Sequence, residues 1–331
     1  GQLDEAMSVI DKAIEHTPTA VDFPEKKARL LKKAGRIKDA AEMMDTARKL
    51  DLADRYINNK ATKYLLRADN VDEARATAAL FTREEAGEPE QHLRDMQASW
   101  YELEVGSALA RRVTTGTPAE LRELAGPALK LFLSVEKHFS DFVEDQFDFH
   151  TYCVRKMTLR AYVSVLKLED NIRGHKAFVK ACCQAAELYL LLHKADSAEV
   201  ARPTDAVDPK LAKALAKREK AKAAKAKRKA EADAKAQAEA AKEAAKNDDS
   251  KKKLPKRDAD EDPKGEKLAA LEPLKEATRL SKALEKYASA AVETHALAFD
   301  VSMVRAKPLL ALCALRRLSV QQDQRAFVVR R

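Results

Sequence analysis

Glycine is scarce in this chain: 8 among 331 residues, none within two positions of another. A backbone cradle for a nucleotide, or for the pyrophosphate of coenzyme A, needs clustered glycines so that main-chain N–H groups can approach phosphate, and no such cluster exists. There is also no HExxH zinc pair, no GxSxG nucleophile elbow and no GxxxxGK[ST] loop. The paired carboxylates fall on surfaces where solvated charge is expected, so the chain reads as a non-enzyme. Cysteines number four, Cys153, Cys182, Cys183 and Cys313, with no CxxC pair. Each lies among Leu, Val or Ala at helical spacing, so burial in a core and a reducing compartment are expected. No stretch reaches the roughly 18 apolar residues that span a bilayer, and the N-terminus lacks the basic and then apolar layout of an export signal. No membrane partner is expected. Gly1 stands where an intact chain would start with Met and a helical pattern begins at once, as expected of a piece of a longer protein.

What is abundant is charge and helix-forming residues: 45% hydrophobic and 35% charged, with few β-formers. The net charge of +9 is unevenly spread. Between Lys210 and Arg257 there are 18 Lys and Arg against 7 Asp and Glu, a balance of +11, which leaves the rest at −2. A polyanionic partner should be sought on that segment first.

Ala6, Ile10, Ala13 and Pro18 show the small, large, small, Pro spacing of the second helix of a tetratricopeptide repeat. Ala40, Met44, Ala47 and Leu52 keep the same offsets, and Ala74, Ala78 and Phe81 keep the first three. The lead alanines recur every 34 residues. Small residues let the two helices of a hairpin approach closely while the large one fills the groove to the next hairpin. Ala6, Ala40 and Ala74 are therefore expected in tight contacts.

Beyond residue 90 the period loosens. Trp100, Leu103 and Val113 read as one helix, Ala128, Phe132 and Val135 as its partner, with Gly116, Thr117 and Pro118 as the break. A separate helix is expected through Phe147, Phe149, Tyr152, Met157, Leu159, Tyr162, Val163 and Leu166. Its apolar stripe should be packed, and Asp141, Glu144, Asp145 and Asp148 should approach its N-terminus. Gly174 then precedes a helix through Phe178, Ala181, Ala185, Leu188 and Leu192, and His150 and His175 read as cap or surface residues. From Pro209 to Lys246 the composition turns to Ala, Lys, Arg and Glu, which predicts a long exposed basic helix of roughly 55 Å. A charged, disordered linker is expected from Asn247 to Gly265. Apolar spacing resumes at Leu268, Leu271, Leu274, Leu280, Leu284 and Tyr287 and continues through Ala296–Val304 and Pro308–Leu318. The fold class is thus all-α, a tetratricopeptide-type helical hairpin solenoid with a long exposed basic helix and a C-terminal helical hairpin region. Its divisions are 1–90 for the repeats, 91–200 for divergent helical repeats, 201–265 for basic helix and linker, and 266–331 for truncated C-terminal hairpins.

Three passages resemble one family. The run "ARLLKKAGRIKDAAEMMDTARKLDLADRYINNKATKYLLRADNVDEARATAALFTREE" (Ala28–Glu85) is similar to the later repeats of the auxiliary, or scaffold, subunit of the N-terminal acetyltransferase A complex. So is "DQFDFHTYCVRKMTLRAYVSVLKLED" (Asp145–Asp170), and the basic tract, the Asp-rich linker and "ETHALAF" (Glu293–Phe299) follow in that family's order. The resemblance implies a cytoplasmic, ribosome-associated complex that acetylates the α-amino groups of nascent chains. Chemistry would lie in a catalytic subunit that the auxiliary subunit wraps, with a second acetyltransferase or an inhibitory small subunit as a further partner. The family's subunits are longer, and the charged tract here is unusually rich in Ala, which are departures from its pattern.

The resemblance also implies inositol hexakisphosphate as a structural ligand on "ADRYINNKATKYLLRAD". There Arg55, Asn59 and Lys63 stand at i, i+4, i+8, and Lys60, Tyr64 and Arg67 form the adjoining row. An ordinary solvated helix face fits the same residues. Lys156, Arg160 and Lys167 form a further basic face, open to a subunit interface or to pairing with neighbouring acids. Lys220, Lys222, Lys225, Lys227, Arg228 and Lys229 are the expected contact with ribosomal RNA near the nascent-chain exit, against the alternative of a spacer helix. A tetratricopeptide co-chaperone binding peptides on a concave face is the other functional class. Its clamp of Lys and Asn residues cannot be assembled from residues 1–110. A dedicated nucleic-acid reader is disfavoured because the basic tract has no interleaved aromatics.

Overall fold

A computed structural model describes residues 1–82, 89–200 and 262–329. Residues Gly1–Ala195 and Asp262–Arg331 form one compact unit and Asp196–Glu261 a second, so the expected basic helix, with most of the linker, lies outside the described residues. Every regular element among the described residues is helical: α1 (Gln2–His16), α2 (Asp22–Lys33), α3 (Ile37–Leu50), α4 (Arg55–Arg67), α5 (Val71–Ala79), α6 (Pro89–Asp95), α7 (Ser99–Thr115), α8 (Pro118–Lys156), α9 (Leu159–Asn171), a 3-10 turn (Ile172–Gly174), α10 (Lys176–Val200), α11 (Glu266–Ala269), α12 (Pro273–Tyr287), α13 (Val292–Val304) and α14 (Pro308–Val329). The all-α class follows, and none of these helices is long and apolar enough to cross a membrane.

Consecutive helices pack as hairpins, α1 on α2, α2 on α3, α3 on α4 and α4 on α5. The expected alanines do close these contacts: Ala40, Met44, Ala47 and Ala74 are wholly buried. Ala6 is not, because α1 buries no residue and packs chiefly on α2. The 34-residue period reappears in the turns. α2 ends with Gly35 at φ +80, the Gly35 N–H bonded to Lys32 O and the Arg36 N–H to Leu31 O. α4 ends the same way 34 residues on, with Asp69 at φ +64, Asp69 N–H to Leu66 O and Asn70 N–H to Leu65 O. Both are Schellman caps, in which one left-handed residue turns the chain and satisfies the last carbonyls. Gln97 and Ala306 occupy the same left-handed position after α6 and α13.

The core runs on across the expected division at residue 90, because α4 also packs on α7 and one apolar cluster extends from Ala28 to Val301. Thr117 caps α8 by accepting the Glu120 N–H while Glu120 accepts the Thr117 N–H at 2.7 Å. From there α8 is a single helix of 39 residues. The separate helix expected through Phe147 is therefore its continuation, since no Gly or Pro interrupts residues 128–156. Asp141, Glu144, Asp145 and Asp148 lie inside α8 rather than before an N-terminus. The break comes at Met157, and Thr158 caps α9 through the Ala161 N–H. The apolar stripe expected to be packed is open: α9 buries no residue, and Leu159 is 78% exposed. His150 bridges α8 to α9, its Nδ1 3.2 Å from the Tyr162 hydroxyl and its Nε2 3.4 Å from Glu169, while His175 caps α10 by accepting the Ala177 N–H.

The C-terminal helices dock on α8 and α10. Residues 262–265, expected in the linker, are ordered here: the Asp262 carboxylate accepts the N–H groups of Glu266, Lys267 and Leu268, and its carbonyl accepts the Lys130 ammonium. Gly126 and Gly265 meet backbone to backbone, and a Cβ on Gly126 would fall 2.7 Å from the Lys264 carbonyl oxygen. Arg279 on α12 forks onto Glu136 of α8 at 2.6 and 3.0 Å, and Tyr189 of α10 donates to Leu268 O. Cys182 and Cys183 are buried, and burial pushes the Cys183 thiol up to about 12. Cys153 is only half-buried, and Cys313 is exposed because the outward face of α14, with Leu312 and Leu315, has no neighbour among the described residues.

Candidate functional site

α4 is built so that its charged side chains cannot turn inward. The Asp54 carboxylate accepts the N–H groups of Tyr56 and Ile57, and Ile57, Asn58, Ala61, Thr62, Tyr64, Leu65 and Leu66 are buried. That leaves Tyr56, Lys60, Lys63 and Arg67, at i, i+4, i+7 and i+11, as the outward row. Three lysines sit over aromatic rings: Lys63 Nζ is 4.8 Å from the Trp100 centroid, Lys60 Nζ 5.2 Å from Tyr56 and Lys32 Nζ 5.4 Å from Tyr64. Cation–π attraction holds each ammonium without neutralising it. Burial first, then the neighbouring Arg67, Lys60, Arg29 and Lys33, holds Lys32 below the ordinary lysine range. Lys63 is depressed by burial and by Lys60 and Arg67, against the opposing pull of Glu104.

The other predicted residues divide. Arg67 is already spent on Glu104, at 2.7 and 3.3 Å, and Tyr64 is core, its ring a platform for Lys32. Asn59 is half-buried beside Lys60 on the same helix. Arg55 does not join the group: it donates to the Phe81 carbonyl at 3.2 Å and lies 5.9 Å from that ring, towards the end of α5. Arg29 is likewise committed, to Glu25 at 2.5 Å. The predicted row of Arg55, Asn59 and Lys63 is thus replaced by a patch of Lys32, Lys60 and Lys63 with Arg67 at its edge. Lys32 and Trp100 were not among the predicted residues, because they come from α2 and α7. The only sequence signal was the basic run Arg29, Lys32 and Lys33.

Lys156, Arg160 and Lys167 do not share one helix. Lys156 closes α8, the chain breaks at Met157, and Arg160 and Lys167 follow on α9, all three exposed. Lys220, Lys222, Lys225, Lys227, Arg228 and Lys229 lie outside the described residues. One buried cluster has the residue types of a hydrolase triad. Glu102 is 1% exposed, with Ser134 Oγ 2.7 Å and His138 Nε2 2.9 Å from its carboxylate. A triad needs the histidine to receive the serine proton and to be held by the acid through its other nitrogen. Here serine donates to the acid and one imidazole nitrogen faces both groups, so the cluster braces α7 against α8. Among the described residues no group of His, Cys, Asp and Glu has the makings of a metal site.

Comparison with known proteins agrees with this architecture. A family model described as "N-terminal acetyltransferase A, auxiliary subunit" matches residues 1–318. The "N-terminal acetyltransferase A complex auxiliary subunit NAA15" of Arabidopsis thaliana is 43% identical over 318 residues, covering 96% of this chain and 34% of that protein. The "N-alpha-acetyltransferase 16, NatA auxiliary subunit" of Mus musculus is 38% identical over 321 residues, 96% of this chain and 36% of the relative. A solved structure described as "Structure of Naa15/Naa10 bound to HypK-THB" superposes with a TM-score of 0.69 at 33% identity, over 97% of this chain and 38% of that one. The chain therefore spans about a third of the length of the curated relatives it matches.

Proposed function

Because the chain belongs to the N-terminal acetyltransferase A auxiliary-subunit family, we propose that it is part of a non-catalytic scaffold that wraps and activates a catalytic acetyltransferase subunit and helps anchor it to the ribosome. The observation that carries this reading is a family match running over residues 1–318, from α1 into α14. The absence of a Gly-rich coenzyme cradle fits a division of labour in which acetyl transfer to nascent α-amino groups in the cytoplasm belongs to the partner. The open end formed by α8 and α9 suits that partner: Leu159 and Val163, one turn apart on α9, are exposed beside Arg160 and Lys167, an apolar strip with a basic edge. Purification of the full-length chain with identification of what co-purifies tests the reading. A catalytic acetyltransferase is expected; a chaperone in its place, or turnover of acetyl-coenzyme A by the chain alone, would overturn it.

For the patch on α2 and α4 the ligand is inositol hexakisphosphate, held between the two subunits by Lys32, Lys60 and Lys63 with Arg67 released from Glu104. Three uncommitted ammonium groups close together suit a densely phosphorylated anion. Charge reversal at Lys60 and Lys63 in the assembled complex should abolish its binding by calorimetry while helix content is kept. Burial makes Lys32 and Lys63 lose their protons more readily than an ordinary lysine, so affinity should begin to fall with rising pH before the ordinary lysine value near 10.4 is reached. Affinity unchanged by the reversals would move the ligand elsewhere. The basic tract at Lys220 to Lys229 is the proposed attachment to ribosomal RNA.

A further inference from the structure

A second basic surface lies in the folded C-terminal part, away from the predicted tract in sequence. An open groove of about 470 Å³ runs along α12 to the end of α13, with Leu274, Thr278 and Arg279 in its lining and Lys275, Lys282 and Arg305 supplying the remaining positive charge. Arg279 is neutralised by Glu136 and by Glu276, at 2.7 Å, so it serves as a fixed wall. Lys275, Lys282 and Arg305 have no carboxylate partner among the described residues. The lining contributes one acid, Glu272, at the start of α12. Arg305 is positioned by the left-handed turn at Ala306, φ +54, which closes the cap of α13. Lys275 and Lys282 are seven residues apart on one helix, two turns or roughly 10 Å along its axis.

We propose that this groove binds the phosphodiester backbone of RNA, as a contact separate from the basic tract. Two uncommitted lysines two turns apart on a rigid helix, with Arg305 in the same lining, suit a regularly charged strand, and each phosphate engaged releases condensed counterions. The lining has no aromatic ring on which a base could stack, so the contact reads charge and not sequence. A protein partner fits less well, because interfaces between proteins centre on apolar and aromatic anchors and the lining has one apolar side chain, Leu274. The inference rests on the ribosome-attachment reading above and adds a folded site to it.

The test measures binding of a labelled ribosomal RNA hairpin to the full-length protein across a salt series, with three variants. One carries Lys275→Gln, Lys282→Gln and Arg305→Gln; the second carries Gln at the six tract positions; the third replaces Lys275 and Lys282 by Arg. The groove variant should flatten the plot of log K against log salt by about 2 to 3, at ~0.7 to 0.9 per lost phosphate contact, and the tract variant should retain that component. The arginine variant should bind as the parent does, which separates loss of charge from damage to α12. A groove variant with the parental slope overturns the groove while leaving ribosome attachment standing. A parent chain that binds no RNA sinks the attachment reading and the groove with it. If the groove variant loses a polyglutamate peptide but keeps its RNA, the surface belongs to an acidic protein and the proposal is wrong.

Discussion

Helices α4 and α9 are both 13 residues long and both begin at a side-chain cap, Asp54 in one and Thr158 in the other, yet α4 buries seven residues and α9 none. The difference lies in their neighbours. α4 is enclosed by α3, α5 and α7, whereas α9 rests on the end of α8 and on the 3-10 turn that follows it. An amphipathic pattern therefore specifies that a segment becomes helical and which stripe is apolar. Whether that stripe is covered depends on a second hairpin arriving. In a solenoid each repeat buries its face only against the next, so an open apolar helix marks the place where the stack stops or another chain begins.

The sharpest way to break this comparison is truncation of one leucine on each helix. Leu66→Ala on α4 removes a fully buried side chain and should cost about 2–5 kcal/mol, read from the denaturant midpoint. Leu159→Ala on α9 should change stability by less than about 0.5 kcal/mol. It should instead weaken capture of the catalytic subunit in the proposed complex. Equal losses of stability would show that α9 is packed as α4 is.

A smaller effect separates the inside of the stack from its first helix. Ala40→Leu overpacks a wholly buried contact of α3 and should cost about 1–3 kcal/mol. Ala6→Leu, at the same repeat position on the half-open α1, should be nearly silent in the same melt. A silent Ala40→Leu would mean that the repeat register is misassigned.

The smallest effect concerns how these helices end. Gly35 and Ala306 hold the same left-handed cap position, but alanine is strained there and glycine is not. Ala306→Gly should raise stability by up to about 1 kcal/mol, and Gly35→Ala should lower it by about the same amount. Thermal melts of the two variants moving in the same direction would contradict the shared cap geometry.

The 34-residue period of small residues was legible in sequence because backbone approach inside a hairpin demands alanine at fixed offsets, and α1 to α5 follow from it. The turn at Gly35 could be read as well. Its equivalents at Asp69, Gln97 and Ala306 could not, since nothing in those side chains announces a left-handed backbone; the Schellman hydrogen bonds impose it. The candidate patch was half visible. Lys60 and Lys63 follow from the polar stripe of α4, but pairing Lys63 with Arg55 and Asn59 assumed a row whose direction only packing could set.

By itself the sequence determined an all-α fold class without clustered glycines, with hairpins in register and its excess basic charge in one segment, because these depend on local spacing and composition. Only the tertiary structure decided that Lys32 and Trp100 join Lys60 and Lys63, that Glu104 occupies Arg67, and that Lys275, Lys282 and Arg305 line one groove with no carboxylate partner among the described residues. Such groupings join residues from separate helices, and the distances between them are set by how hairpins stack, a property that no single helix encodes.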